Sequence, residues 1–198
     1  LESYGADPAR HRSLGLVTCD QDDPTYVALD EATKHAPVDV VFARSFYAGA
    51  DHSSGRLSGE ILGVLAGSDP DEVEEGLRAM LRCLEHDACF YSADDSGSIA
   101  VFPHVISSLG HYLSAEAGAS PGESMAYLVA PPLEATLALD AALKAADVRA
   151  LKIFPPPSET NYAAAWLGGS QDACEAAAAA YAETVVEVGR RPMEDLGD

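Results

Sequence analysis

Three carboxylates and one aromatic ring are the residues of this sequence best suited to holding a small ligand. Asp22 and Asp23 follow a predicted strand, Glu60 opens another after a long loop, and Phe90 ends the first half of the chain. If the strands that carry them pack side by side, the acids converge at one rim. There they would suit a small ammonium group by charge and hydrogen bonding, with Phe90 as an apolar wall. Taken singly, each acid reads as a solvated loop or strand-end residue, so the grouping must come from the fold. No catalytic set emerges. His52 stands beside Ser53 and Ser54 in a Gly/Ser-rich stretch whose composition is that of a loop, and His104 and His111 flank a predicted helix. There is no phosphate-cradling GxxxxGK[ST], no dinucleotide-binding glycine fingerprint and no GxSxG elbow. Cys83, His86 and Cys89 form the one tight Cys/His group, without the second pair a zinc site needs. Cys83 also falls on a helical apolar stripe, the usual place of a buried thiol.

The elements that must position these residues are written twice. Residues 59–84 read GEILGVLAGSDPDEVEEGLRAMLRCL, and residues 162–188 read YAAAWLGGSQDACEAAAAAYAETVVEV. Each runs from an apolar strand through a Gly-Ser corner into a helix that starts acidic, so an internal repeat sets the architecture. Ser68 and Ser170 are the predicted N-caps, and Pro70, Asp71 and Glu72 suit a first helical turn. The predicted apolar stripes are Val73, Leu77, Met80, Leu81 and Leu84 in the first copy, and Cys174, Ala178, Tyr181, Val185 and Val188 in the second. The Ala-rich run 176–180 predicts close helix packing. Tyr26 to Lys34 (YVALDEATK) likewise matches Thr136 to Lys144 (TLALDAALK). Each copy therefore reads strand, helix, strand, loop, strand, helix: an α/β sandwich with helices over one face of a sheet.

In chain order, strands are expected over 13–18, 38–42, 60–66, 98–101, 125–129 and 148–154. Residues 19–24 form an acidic loop before a short helix over 26–35. A helix is expected from about Pro103 to Ala117, ending near Gly118. The next helix, after Pro131-Pro132, carries Leu133, Leu137 and Ala141. The long loops are 47–55 and 155–161, and the segment after Gly189 reads as a disordered tail.

The chain has 198 residues, nearly half of them apolar, and a formal net charge of −20. That charge opposes nucleic-acid binding, which draws on Lys and Arg. No apolar run approaches a membrane span, and no secretory leader is visible at the start. Four cysteines without a secretory context point to reduced thiols in a cytoplasm.

The stretches HRSLGLVTCDQDDPTYVALDEATK, SFYAGADH, AYLVAPPLEATLALDAALKAADV, PPPSETNYAAA and GSQDACEAA are long and collinear. Over Arg12 to Pro192 the sequence closely resembles the EutL family, the ethanolamine-utilisation shell proteins of bacterial microcompartments. The resemblance implies a tandem pair of circularly permuted microcompartment domains, residues 1–90 and 91–198, each a small sheet covered by helices. It further implies a non-enzymatic homotrimer of hexagonal outline, tiling with other shell proteins around ethanolamine-degrading enzymes in the cytoplasm. The loops 47–57 and 155–162 resemble the family's central-pore loops. Ethanolamine is the implied ligand, with contacts at Asp22, Asp23, Glu60 and Phe90 and a further contribution from Thr160, Asn161 and Tyr162. The alternative implied role is an ethanolamine-sensing module whose ligand regulates pore opening. Cobalamin and zinc are associated with members of the family, and no residue pattern here decides either. The family's first unit opens with a helix for which this chain has only Leu1 to Arg12.

Overall fold

A computed structural model describes residues 2–46, 60–156 and 162–191. The chain divides into two compact units, Leu1–Cys89 with Ser107–Glu123, and Phe90–Ile106 with Ser124–Asp198.

The first unit has a three-stranded antiparallel sheet in the order β1-β3-β2, with β1 Ser13–Cys19, β2 Asp39–Phe46 and β3 Glu60–Gly67. Two helices, α1 Asp22–His35 and α2 Pro70–His86, pack against this sheet and against each other. Glycine makes their close approach to the sheet possible. A Cβ on Gly15 of β1 would lie 2.7 Å from Val73 of α2, and one on Gly63 of β3 would lie 2.9 Å from Leu29 of α1. Val73 and Met80 of the predicted α2 stripe are buried, but Leu81 is exposed, and Gly76, Ala79 and Cys83 complete the buried face. The N-cap is also one residue later than expected. Asp69, not Ser68, accepts from the backbone N–H groups of Asp71 (2.9 Å) and Glu72 (3.0 Å). Ser68 instead donates its own N–H and hydroxyl to the Glu72 carboxylate. Together these contacts form a capping-box-like exchange at the helix start.

The second unit has a five-stranded antiparallel sheet in the order β4-β5-β6-β8-β7. Its strands are β4 Tyr91–Ser92, β5 Ala100–Ile106, β6 Ser124–Ala130, β7 Arg149–Phe154 and β8 Ala163–Gly169. Helices α4 Pro132–Ala145 and α5 Gln171–Arg190 cover it. Ser170 caps α5 as predicted, accepting from the Ala173 N–H at 3.2 Å. The alanines do pack closely: Ala135, Ala138 and Ala142 of α4 share a core with Cys174, Ala177 and Ala178 of α5. The buried face of α4 is therefore alanine, whereas Leu133 (65% exposed) and Leu137 (49%), which the sequence assigns to this helix, point outward. The repeat extends to backbone irregularities. β2 shifts register between Val40 and Phe42, and β7 does so between Ala150 and Lys152.

Residues 103–106, predicted to begin a helix, belong to β5. Pro103 pairs with Leu128 and Ile106 with Met125 of β6, and two of the four residues, Val105 and Ile106, are β-branched and suit the strand. Pro103 lies beyond the two-residue pairing of β4 with β5, where a missing N–H leaves no ladder bond unmade. The remaining helix, α3 His111–Ala117, ends at Gly118 in the left-handed conformation, as the sequence suggests.

Within the first unit α3 is held by α1. The fully buried Asp30 carboxylate accepts from the N–H groups of Gly110 (2.7 Å) and Leu113 (2.8 Å), acting as an N-cap supplied from another helix. Thr33 Oγ1 accepts from His111 N–H at 3.1 Å, and Tyr26 stacks on Tyr112. Gly110 is required by this contact, because a Cβ there would come within 2.5 Å of Thr33 Oγ1. Burial raises the Asp30 pKa against the lowering effect of its two N–H donors. The folded chain thus keeps this proton to higher pH than the unfolded chain. Asp30's contribution to stability is greatest below the ordinary aspartate range and declines as pH rises through the folded value. Asp30→Ala is expected to lower the unfolding free energy by about 1–3 kcal/mol and to flatten that part of the pH–stability profile. Urea melts that superpose on the parent's at every pH would overturn the capping role.

Candidate functional site

Asp22 and Asp23 do not lie in a loop. They form the first turn of α1, which starts four residues before the expected position, and they are 3% and 7% exposed. Acids favour that turn because its N–H groups and the helix dipole offer positive potential, and Asp23 N–H donates to Asp22 Oδ1 at 3.0 Å. Strand register brings Glu60 to the same end of the sheet. Cys19, the last residue of β1, pairs with Ile61 of β3, and Phe46, the last residue of β2, pairs with Glu60 itself. The three predicted acids therefore share the end of the sheet at which β1 passes into α1.

Two hydroxyl-bearing residues that the sequence reading did not single out belong to the same end. Tyr26 lies one turn along α1 from Asp22 and Asp23. Its hydroxyl accepts from the Ser45 N–H at 3.0 Å and shares a 2.8 Å hydrogen bond with Ser45 Oγ. Burial raises the Tyr26 pKa, the Ser45 hydrogen bonds oppose the rise, and the negative charges of Asp22 and Asp23 add to it. The tyrosine thus sits within the field of both carboxylates. Its signal in the sequence was the i+3/i+4 spacing from the acids. Ser45 had none, because its place depends on β2 running on to Phe46.

Phe90 and Tyr162 belong to the second unit and touch each other edge to face, with ring centroids 6.2 Å apart. Phe90 also packs on Phe102 at 5.1 Å. Ring contacts continue from Phe102 to Tyr127 and on to Trp166 and Phe154, and Lys152 Nζ lies 5.1 Å from both of the last two ring centres. Thr160, Asn161, His52, Ser53 and Ser54 lie outside the described residues, as do the whole of the first predicted pore loop and residues 157–161 of the second. His104 stacks on Phe102, and His111 is the first residue of α3.

The Cys83, His86 and Cys89 group does not form one donor set. Cys83 is buried and Cys89 exposed, and among the described residues no three His, Cys, Asp or Glu side chains gather to hold a metal ion. A zinc ion thus has no fitting donor set in this part of the chain. Among the described residues no helix is long and apolar enough to cross a membrane.

Residues 13–93 match the BMC domain family. The chain is 56% identical to the bacterial microcompartment shell protein EutL of Clostridium perfringens, over 92% of this chain and 84% of that protein. It is 53% identical to the Escherichia coli protein of the same name, over 98% and 92%. The crystal structure of ethanolamine utilization protein EutL from Leptotrichia buccalis superposes with a TM-score of 0.91 at 52% identity, covering 98% of this chain and 88% of that one. Matched domain and duplicated fold make this a BMC-domain shell protein of a bacterial microcompartment, a structural rather than catalytic class. Within that class the chain belongs to the EutL family.

Thiol chemistry gives a direct check of this packing. Burial pushes the Cys83 thiol pKa up to about 12 and raises that of Cys174, which keeps both in the unreactive thiol form. A chromogenic disulfide reagent at mild alkaline pH is expected to modify Cys89 in the folded chain, with Cys83 and Cys174 reacting only after denaturation. Rapid modification of Cys83 in the native state would contradict its place in the core.

Proposed function

We propose that this chain is a tile of the shell around ethanolamine-degrading enzymes in the bacterial cytoplasm. It acts as a homotrimer that packs beside other shell proteins and carries a gated pore for small metabolites. The observation that carries the assembly is the duplication, down to the matching bulges of β2 and β7. Three chains of two similar units can surround one axis with six near-equivalent positions, and such tiles extend into layers by repeated edge contacts. Identity above half to relatives named EutL, over more than nine-tenths of this chain, supports the ethanolamine-utilisation assignment.

The proposed ligand is ethanolamine. Its ammonium group suits the end of the first sheet where Asp22, Asp23 and Glu60 gather, with the Tyr26 and Ser45 hydroxyls nearby. Phe90, Thr160, Asn161 and Tyr162 are proposed as further contacts. Cobalamin and zinc have no part in this reading.

Light scattering of the purified chain is expected to give the mass of three copies, and electron microscopy hexagonally ordered layers. A stable monomer at high concentration would sink the tile. Titration calorimetry is expected to show ethanolamine binding that Glu60→Gln weakens at least about tenfold, the scale of one lost charge-assisted hydrogen bond. Equal affinity in the variant would remove the acidic contact and leave the tile intact.

A further inference from the structure

The duplication creates the same pair of sheet positions in both units and fills them differently. In the first unit Phe42 of β2 pairs with Val64 of β3, just past the register shift, and both side chains are hydrocarbon. Counting back from the Gly-Ser corners, Val64 corresponds to Trp166 of β8. Phe42 corresponds to Lys152, which also follows a register shift and pairs with Trp166. Cross-strand partners of this kind share one face of the sheet. Hydrocarbon suffices at this point of the fold, yet the second unit carries an indole N–H and an ammonium there.

Packing alone explains neither group. Trp166 is 4% exposed, and its buried indole Nε1 has no hydrogen-bond partner among the described residues. A buried donor left unpaired opposes folding, and native structures almost always give such a group an acceptor. Lys152 is half-buried, and its Nζ lies 5.1 Å from the ring centres of both Trp166 and Phe154. The rings thus hold the ammonium beside the indole. Tyr127 and Phe154 flank the tryptophan edge to face, at 5.3 and 5.1 Å. Two donors, one of them charged, are set in an aromatic wall.

We propose that this face of the second sheet binds a short-chain monocarboxylate. One carboxylate oxygen accepts the Trp166 N–H, Lys152 balances the charge, and the alkyl part lies on the rings. Charge count selects the class. One ammonium matches one negative charge in a charge-assisted contact, whereas a phosphate dianion would leave charge uncompensated in apolar surroundings. A ligand ammonium would meet Lys152 as a like charge. The site lies within the second unit, does not depend on the ethanolamine reading, and takes a ligand of the opposite sign.

Trp166 is the only tryptophan of the sequence, so its fluorescence and its single indole N–H resonance report on this site alone. The test titrates the full chain with sodium acetate, with ionic strength held constant by sodium chloride. Acetate is expected to change the emission saturably and to move the indole proton downfield, the direction of a new hydrogen bond. A response to chloride or phosphate as strong as that to acetate would overturn the assignment. Lys152→Met keeps most of the apolar stem and removes the charge. It is expected to weaken acetate binding at least about tenfold, the scale of one lost charge-assisted contact. Unchanged acetate affinity in that variant would overturn the proposal. The parent alone supplies a measurement that needs no variant. An indole resonance indifferent to acetate would leave a buried water as the partner of the N–H and remove the site.

Discussion

In both units two helices must sit close enough to a sheet to keep water from its covered face, and the two halves of the chain meet that demand with different residues. The first unit makes room in the sheet: Gly15 and Gly63 leave space into which Val73 and Leu29 project. The second makes room on the helices, where Ala135, Ala138 and Ala142 of α4 meet Ala177 and Ala178 of α5. Either device shortens the distance between layers, and packing at interior density makes that distance intolerant of an added methylene. Strand register follows from this spacing, because a slip by one residue would turn the glycines and the apolar side chains to opposite faces. The placement of Glu60 beside the start of α1 rests on the same register.

Aspartate at the same position of α1 and α4 shows how far duplicated sequences can separate in role. Asp30 is buried and bound to backbone donors, and Asp140 is exposed and bound to a lysine four residues on. A buried carboxylate is tolerable only with such donors. The Asp30 arrangement exists because Gly110 lets the start of α3 come within reach. The difference between the two aspartates thus lies in what approaches them, not in the helices that carry them.

Much of the fold was legible because period and punctuation agree in this sequence. The apolar runs of β1, β3 and β6, the Gly-Ser corners and the Ala-rich α5 each fit one element by spacing alone. What was not legible depended on tertiary partners. A helix over 103–117 satisfies the spacing of Val105, Ile106, Leu109 and Leu113, and only pairing with β6 assigns the first two to a strand. Leu133 and Leu137 have helical spacing too, but the buried face of α4 is made by Ala135, Ala138 and Ala142, with Leu139 packed at its margin. In the candidate site, residue types and chain positions marked Asp22, Asp23 and Glu60. The burial of the aspartates and the presence of Ser45 required a helix beginning at Asp22 and a strand reaching Phe46.

The bulges of β2 and β7 have a consequence for the margins of the two sheets. Both are outer strands of their sheets, and an outer strand offers unpaired backbone groups to any extended segment nearby. A register break after Val40, and its twin after Ala150, bends the strand and interrupts the regular row of donors and acceptors. A foreign strand arriving at either margin can match only a few residues before the ladder falls out of step. Both margins therefore disfavour continuous strand pairing and leave side chains, not the backbone ladder, as what an approaching surface meets.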